Sequence, residues 1–450
     1  VSGALTSAAV VELLRETLAT GDVGKLAAAH AEDGLLEVSV QGERSLARGS
    51  EAIAARLERL WPGRGRLVEW APTPGPGGCA VWSERVTEDG SAERQRQYLE
   101  VRGGAIVRHW VFGAPPRSTA PRLVGAQAPA LFERLGVTRR EPLVSTGWSG
   151  NRLERLRTVD GRALIAKRVD PSADWIGRNS RDRGREGLLY AEGLFERMSG
   201  IDPAVIACEP EDEYAWWVVT RDVSDRLLDA ESSISREQNR LVMRAANSMW
   251  EEFWGERHEF LCDLGSRITI AGPRVAERER DAMDLLPKQF EAAWEALAEA
   301  IDDDVTRPIR ALLEDPSPLV SELESCGSTL LHGDLRDEHI GFGDDTLIAL
   351  DWGLATQGHP VVDLAWYMVH DVWRIEATHD EVVEDFRRAR GDHDDPRALA
   401  LLGLLGLLMY GWIFGIGAVI HTDPAERQWA RQELAWWVPR ARHSLDTWSP

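Results

Sequence analysis

"TLLHGDLRDEHIGFGDDTLIALDWG", residues 329–353, decides how the chain is read. An apolar strand leads through His332, Gly333 and Asp334 into a polar loop. A short hairpin follows, and a second apolar run, "LIAL", ends at Asp351. Strand-like residues before both aspartates are expected to bring two carboxylates to one edge of a small ribbon. Such a pair suits a division of labour, one carboxylate accepting a proton and the other binding a divalent cation. Arg336, two residues beyond Asp334, is placed to neutralise charge developing on a transferred group. Downstream, "GHPVVDLAWYMV" offers Asp363 as a buried acceptor that steadies the loop.

Phosphoryl transfer also needs a cradle for nucleotide phosphates and a cation to meet them. "STGWSGNRLERLRTVDGRALIAKRVD", residues 145–170, alternates as strand, turn, strand, turn, strand. Gly147 and Gly150, having no Cβ, would let backbone amides approach phosphate oxygens. Only three of the 52 basic residues are lysines, and one of them, Lys167, closes the apolar strand "ALIAKRV". An ammonium acts there as a point charge that arginine does not replace. Glu186, on the following helical stretch, is its natural ion-pair partner, with Glu192 and Glu196 as substitutes.

These residues resemble the aminoglycoside phosphotransferase and choline kinase-like superfamily over about residues 123–450, most closely at 328–368. "AKRV", "RGREGLLY" and "VVTRDVSD" support the resemblance. It implies a two-lobed protein-kinase-like fold with Asp334 as catalytic base and Asp351 as metal ligand. His332 would support the loop, Lys167 and Glu186 would form the nucleotide ion pair, and Thr220 to Val223 would form the interlobe hinge. It also implies ATP and Mg²⁺, and a hydroxyl on a small molecule as acceptor. Two positions depart from the family. His339 stands where such loops carry Asn five residues after the Asp. An imidazole is softer than a carboxamide oxygen, so His339 at the metal would suit Mn²⁺ better than Mg²⁺. Alternatively, it only hydrogen-bonds Asp334. Met249 and Trp250 stand where the family often has Leu-His.

Pro, Gly, Ser and Thr interrupt the periodicity at "GAPPRSTAP", residues 113–121. Before it, helices over 5–32, a strand at 34–40, the helix "GSEAIAARLERLW" and a strand meander are expected to form an antiparallel sheet with helices. The words "AEDGLLEV" and "ARGSEAIAARLERLW" resemble the SnoaL-like (nuclear transport factor 2-like) cone. Glu84, Glu100 and His109 are candidates to line its pocket. The expected class is therefore α+β: a SnoaL-like cone at 1–115, a linker at 116–122, a kinase-like N-lobe at 123–223 and a helical C-lobe at 224–450.

A net charge of −22 and a pI near 5.0 argue against a nucleic-acid partner. Four scattered cysteines form neither a zinc pattern nor a disulfide framework, which fits a reducing, cytoplasmic setting. "ALALLGLLGLLMYGWIFGIGAVIHT", residues 398–422, is long enough to cross a bilayer, but its flanks show no Lys/Arg asymmetry. A helix buried on all sides is expected. The leading expectation is an ATP-dependent kinase of a small-molecule alcohol. Asp337, Glu338 and the acidic run 379–395 are candidates to receive a cationic acceptor such as an amino sugar or aminocyclitol, the run reading otherwise as a solvated face. A peptide kinase and a non-catalytic pseudokinase scaffold are the alternatives, and the N-terminal domain is a candidate dimer contact.

Overall fold

The computed structural model describes residues 6–40, 43–75, 78–87, 92–113, 130–143, 152–171, 174–211, 215–229, 232–282, 284 and 286–448. The chain divides into two compact units, with the boundary near residue 128. The expected linker and the two glycines Gly147 and Gly150 lie outside the described residues.

In the first unit, helices α1 (Ser7–Thr20) and α2 (Gly24–Ala28) precede strands β1 (His30–Val40) and β2 (Glu43–Arg48). Helix α3 (Ser50–Leu60) leads to a meander of β3 (Gly65–Gly75), β4 (Gly78–Thr87), β5 (Ala92–Arg102) and β6 (Ala105–Gly113). The six strands form one sheet in the order β2-β1-β6-β5-β4-β3. The helices bury Val10, Leu14, Leu18, Ile53 and Leu57 against Leu36, Val38, Val81, Leu99 and Val111 of the sheet. Two expectations are corrected here. Residues 43–48 form a strand that the sequence pattern did not suggest. In addition, β1 pairs parallel with β6, so the sheet is not wholly antiparallel. Alternation reveals which face of a strand is buried but not the direction of its neighbour.

The second unit opens with α4 (Ala130–Arg134), β7 (Val137–Leu143), β8 (Arg152–Thr158) and β9 (Ala163–Val169). Helix α5 (Trp175–Ser180) follows, and the helical stretch expected to carry Glu186 is broken into α6 (Arg185–Ala191) and α7 (Leu194–Arg197). Next come β10 (Ile201–Asp202), β11 (Val205–Pro210) and β12 (Trp216–Arg221). Five of these strands form an antiparallel sheet ordered β11-β12-β9-β8-β7. Thr220 lies on β12 opposite Ile165 of β9, and Val223 packs with Ala204 and Ile348 just beyond it.

Helices dominate the rest of this unit: α8 (Arg236–Glu252), α9 (Leu264–Ile268), α10 (Pro273–Arg278), α11 (Pro287–Ala300), α12 (Asp303–Glu314) and α13 (Ser317–Ser325). A capping box between Ser235 and Gln238 starts α8 by satisfying its first backbone donors. Met249 and Trp250 are buried on α8, and Thr329 donates to the Trp250 carbonyl at 2.7 Å. Four short strands then interrupt the helices: β13 (Thr329–Leu331), β14 (Ile340–Phe342), β15 (Leu347–Ala349) and β16 (Thr356–Gly358). The chain closes with α14 (Val361–Asp371), α15 (His379–Arg390), α16 (Pro396–Ala400), α17 (Leu402–Gly415) and α18 (Pro424–Thr447).

The stretch from Leu402 to Ile420 is apolar all round, and 72% of it is buried within the fold. Its glycines admit neighbouring helices. A Cβ at Gly415 would stand 2.4 Å from the Ala293 carbonyl oxygen of α11. Gly415→Val should therefore force α17 and α11 apart and cost about 1–3 kcal/mol of stability. Urea unfolding of parent and variant measures that loss.

Candidate active site

Asp334 and Asp351 stand on two ribbons, not on one as expected. β13, which precedes Asp334, pairs with β16, whereas β15, which precedes Asp351, pairs with β14 and β10. His339 joins the two. Its Nδ1 is 2.9 Å from the Asp334 carbonyl oxygen, and its own carbonyl accepts the Leu350 N–H at 2.8 Å. A ring nitrogen facing a carbonyl carries the proton, so in the neutral imidazole Nε2 would hold the lone pair. That nitrogen lies 3.4 Å from Arg336 Nη2 and 4.0 Å from Asp351 Oδ2.

The Asp334 loop hangs from one carboxylate. Asp363, in the first turn of α14, accepts the His332 N–H on Oδ2 and the Gly333 N–H on Oδ1, both at 2.9 Å. Gly333 has φ +78°, and a Cβ there would fall 1.9 Å from the Leu354 carbonyl oxygen. Only glycine fits such a left-handed, crowded position. His332 is fully buried; Nδ1 accepts the Asp334 N–H at 3.2 Å while Nε2 donates to the Leu350 carbonyl at 3.1 Å. Burial pushes this imidazole down to about 4, so it stays neutral and structural.

Asp351 has φ +61°, unfavourable for a residue with a side chain. Strain of this kind persists where the surroundings over-determine it. Arg185, fully buried at the start of α6, supplies part of that determination. It donates to the carbonyls of Gly353, Phe260 (3.2 Å) and Ser180 (2.9 Å). The same helix carries Glu186. Lys167 Nζ donates to Asp351 Oδ1 at 2.6 Å and to Glu186 Oε2 at 3.3 Å. Glu192 and Glu196 are exposed, so Glu186 is the partner. Burial opposes the Lys167 charge, but the two carboxylates outweigh it and hold the ammonium above the usual lysine range. Burial likewise resists ionisation of Asp351, and Lys167 followed by His339 overcomes it, so this carboxyl is held well below the usual range.

Asp334 behaves similarly. Burial disfavours its charge, yet Arg336, His339 and Arg267 bring its pKa down to about 2. Arg336 Nε lies 3.4 Å from Asp334 Oδ1 and its Nη1 is 2.5 Å from Glu338 Oε2. Two partners of the loop were not evident from the sequence. Trp366 Nε1 donates to Asp334 Oδ1 at 2.7 Å, and Arg267 donates from Nε to the Gly333 carbonyl. A usable signal for Trp366 was its position three residues after Asp363, which places both on one helical face. Arg267 gave no such signal among so many arginines.

The acidic residues expected to greet a cation are engaged already. Asp337 pairs with Arg374, Glu381 with Arg236, Asp380 with Arg440, Asp385 with Arg240 and Asp394 with Arg387. Among the described residues, no group of three or more His, Cys, Asp or Glu is arranged to hold a metal ion. His339 Nε2 and Asp351 Oδ2 nevertheless offer two lone pairs 4.0 Å apart. Mg²⁺ commonly takes one or two protein ligands and completes its shell with phosphates and water, so this pair fits a nucleotide-borne cation. In the first unit, His109 is buried, its Nε2 bonded to Gln97 Oε1 at 2.9 Å; Glu100 is half-buried, and the Glu84 side chain lies outside the described set.

Burial raises Asp363 to about 6 despite its two backbone N–H partners. Its folded pKa thus exceeds the unfolded value near 3.9, so the folded state holds the extra proton and its stability falls as pH rises between about 4 and about 6. Asp363→Asn removes that effect. The stability of the parent relative to this variant should therefore drop by up to about 3 kcal/mol across the window, as denaturation at several pH values would register.

Among curated proteins, none matches the chain. Solved structures that resemble it include an aminoglycoside phosphotransferase from Alicyclobacillus acidocaldarius, 15% identical, covering 72% of this chain and 98% of the other, with a TM-score of 0.37. A thermostable mutant of an aminoglycoside phosphotransferase in complex with ADP and hygromycin B is 15% identical, with coverage of 69% and 97% and a TM-score of 0.39. The choline kinase of Streptococcus pneumoniae is 12% identical, with coverage of 69% and 96% and a TM-score of 0.41. The family model described as APH, phosphotransferase enzyme family, matches residues 203–402, the span that holds Asp334, His339, Asp351 and Asp363. Over that span, less than half of its length, the chain is similar to the phosphotransferase enzyme family.

Proposed function

We propose that the chain moves the γ-phosphoryl group of ATP to a hydroxyl of a small molecule, with Asp334 as the base. The observation that carries this is the meeting of Lys167, Glu186 and Asp351 beside a loop whose other carboxylate, Asp334, is held ionised. The acceptor oxygen forms a bond to the γ-phosphorus, and the bond from that phosphorus to the β–γ bridging oxygen breaks to leave ADP. The hydroxyl proton passes to Asp334. Lys167 then exchanges its contact with Asp351 for the α- and β-phosphates, while Glu186 keeps the ammonium in place. Arg336 faces the charge that builds on the transferred group. Asp351 and His339 would hold Mg²⁺ or Mn²⁺, which when bound shields the phosphate charge. Gly147 and Gly150 would cover the phosphates, and the chain from Thr220 to Val223 would form the hinge.

Because Asp337, Asp380, Glu381, Asp385 and Asp394 are paired with arginines, they do not form a free carboxylate wall for an amino sugar. A partly exposed aromatic group stands beside Asp334 instead: the Trp366 and His370 rings are 4.4 Å apart, and those of His370 and Tyr410 are 4.5 Å apart. The acceptor is therefore read as a small alcohol with an apolar or planar face, cationic or not. For the first unit the proposed assignment is a SnoaL-like cone, supported by its six-stranded sheet, its three helices and its buried His109–Gln97 contact.

Asp334→Asn should lower phosphate transfer at least about 100-fold with the circular dichroism spectrum unchanged. Turnover comparable to the parent would remove Asp334 as the base. An imidazole at the cation predicts activity with Mn²⁺ at least equal to that with Mg²⁺. His339→Asn should move the preference towards Mg²⁺; identical metal profiles would take His339 out of the cation site.

A further inference from the structure

We infer that Trp366 is a positioning residue for the transfer step: its indole N–H holds Asp334 Oδ1 so that Oδ2 alone is presented to the acceptor hydroxyl. This rests on Asp334 being the base. A carboxylate on a loop has freedom about two side-chain torsions, and a base misplaced by about 1 Å can lose two orders of magnitude in rate. Asp334 Oδ1 receives the indole at 2.7 Å, far closer than the 3.4 Å of Arg336 Nε. Among the described residues, the charged partner given to Oδ2 is His339 Nδ1, also at 3.4 Å, and that N–H is spent on the Asp334 carbonyl at 2.9 Å. One oxygen is thus fixed and the other is open to take a proton.

The indole is itself fixed from two sides. Trp366 follows Asp363 by three residues on α14, so the helix that grips the His332 and Gly333 amides also delivers the ring. On the ring face lies the guanidinium of Arg267, 4.1 Å from the centroid, and Arg267 Nε donates to the Gly333 carbonyl. Arg267 is fully buried. The Gly333 peptide is therefore held at its N–H by Asp363 and at its carbonyl by Arg267, with the indole bridging onward to the carboxylate. A cation over an indole face is a favourable electrostatic contact, strongest when desolvated as here.

Trp366→Phe keeps a ring for Arg267 but deletes the donor. In the full chain, kcat should fall about 10- to 100-fold, while the KM values for ATP and for the acceptor stay within about twofold. The 15N-labelled parent gives a second reading that needs no folded Trp366 variant: the Trp366 indole N–H resonance should move when Asp334 is changed to Asn. A kcat within about twofold of the parent, a loss expressed only in the acceptor KM, or an unmoved indole resonance would each overturn the positioning role. An active Asp334→Asn enzyme would instead overturn the base assignment beneath it, so the two failures are distinguishable.

Discussion

Both oxygens of one buried carboxylate, Asp363, are consumed by consecutive backbone amides, and the site is built outward from that grip. It fixes the left-handed turn at Gly333, which in turn aims Asp334 away from the strand that delivers it. Because Asp363 lies in the first turn of α14, the Asp334 loop is tied to a helix packed against α17. Rigidity at the loop is thus borrowed from the helical core. A loop held only by its own turns would leave the carboxylate mobile, and positional error is costly in group transfer.

The electrostatics obey the same constraint. Asp334, Asp351, Lys167, Glu186, His339 and Arg336 are crowded into a poorly solvated space, yet the carboxylates nearest the chemistry are kept ionised by neighbouring cations. Lys167 is shared between Glu186 and Asp351, the first a buried anchor and the second a partner with an open side. Asp351 is thereby stabilised as an anion where a metal-bound triphosphate would arrive, and its unfavourable backbone conformation is held by Arg185 through the neighbouring Gly353 carbonyl. His339 occupies the junction of the two ribbons, so exchanging it touches the scaffold as well as any cation.

Much of the second unit was legible because its chemistry sits on short, contrasting words. A rare lysine on an apolar strand, an HGD turn after one apolar run and an aspartate after another are signals that survive without a structure. The pairing of Lys167 with Glu186 followed from the same logic. Other features had no local signature. Whether β13 and β15 share a ribbon depends on partners far away in sequence, as does the parallel pairing of β1 with β6. The acidic stretch 379–395 looked available because its compensating arginines, Arg236, Arg240 and Arg440, lie on other helices. Arg267 had no local signature either, since a buried guanidinium is defined by what surrounds it, and Trp366 had only its spacing from Asp363.

Phosphorus NMR of the full chain with ATP and a panel of small alcohols, run with Mg²⁺ and with Mn²⁺, bears most directly on the function. A phosphotransferase built as described converts the γ-phosphate signal into one phosphomonoester signal per ADP formed. A γ-phosphate signal that persists with both metals across the panel, while the nucleotide binds, would contradict a catalytic role and leave a kinase-like fold that only holds its ligand.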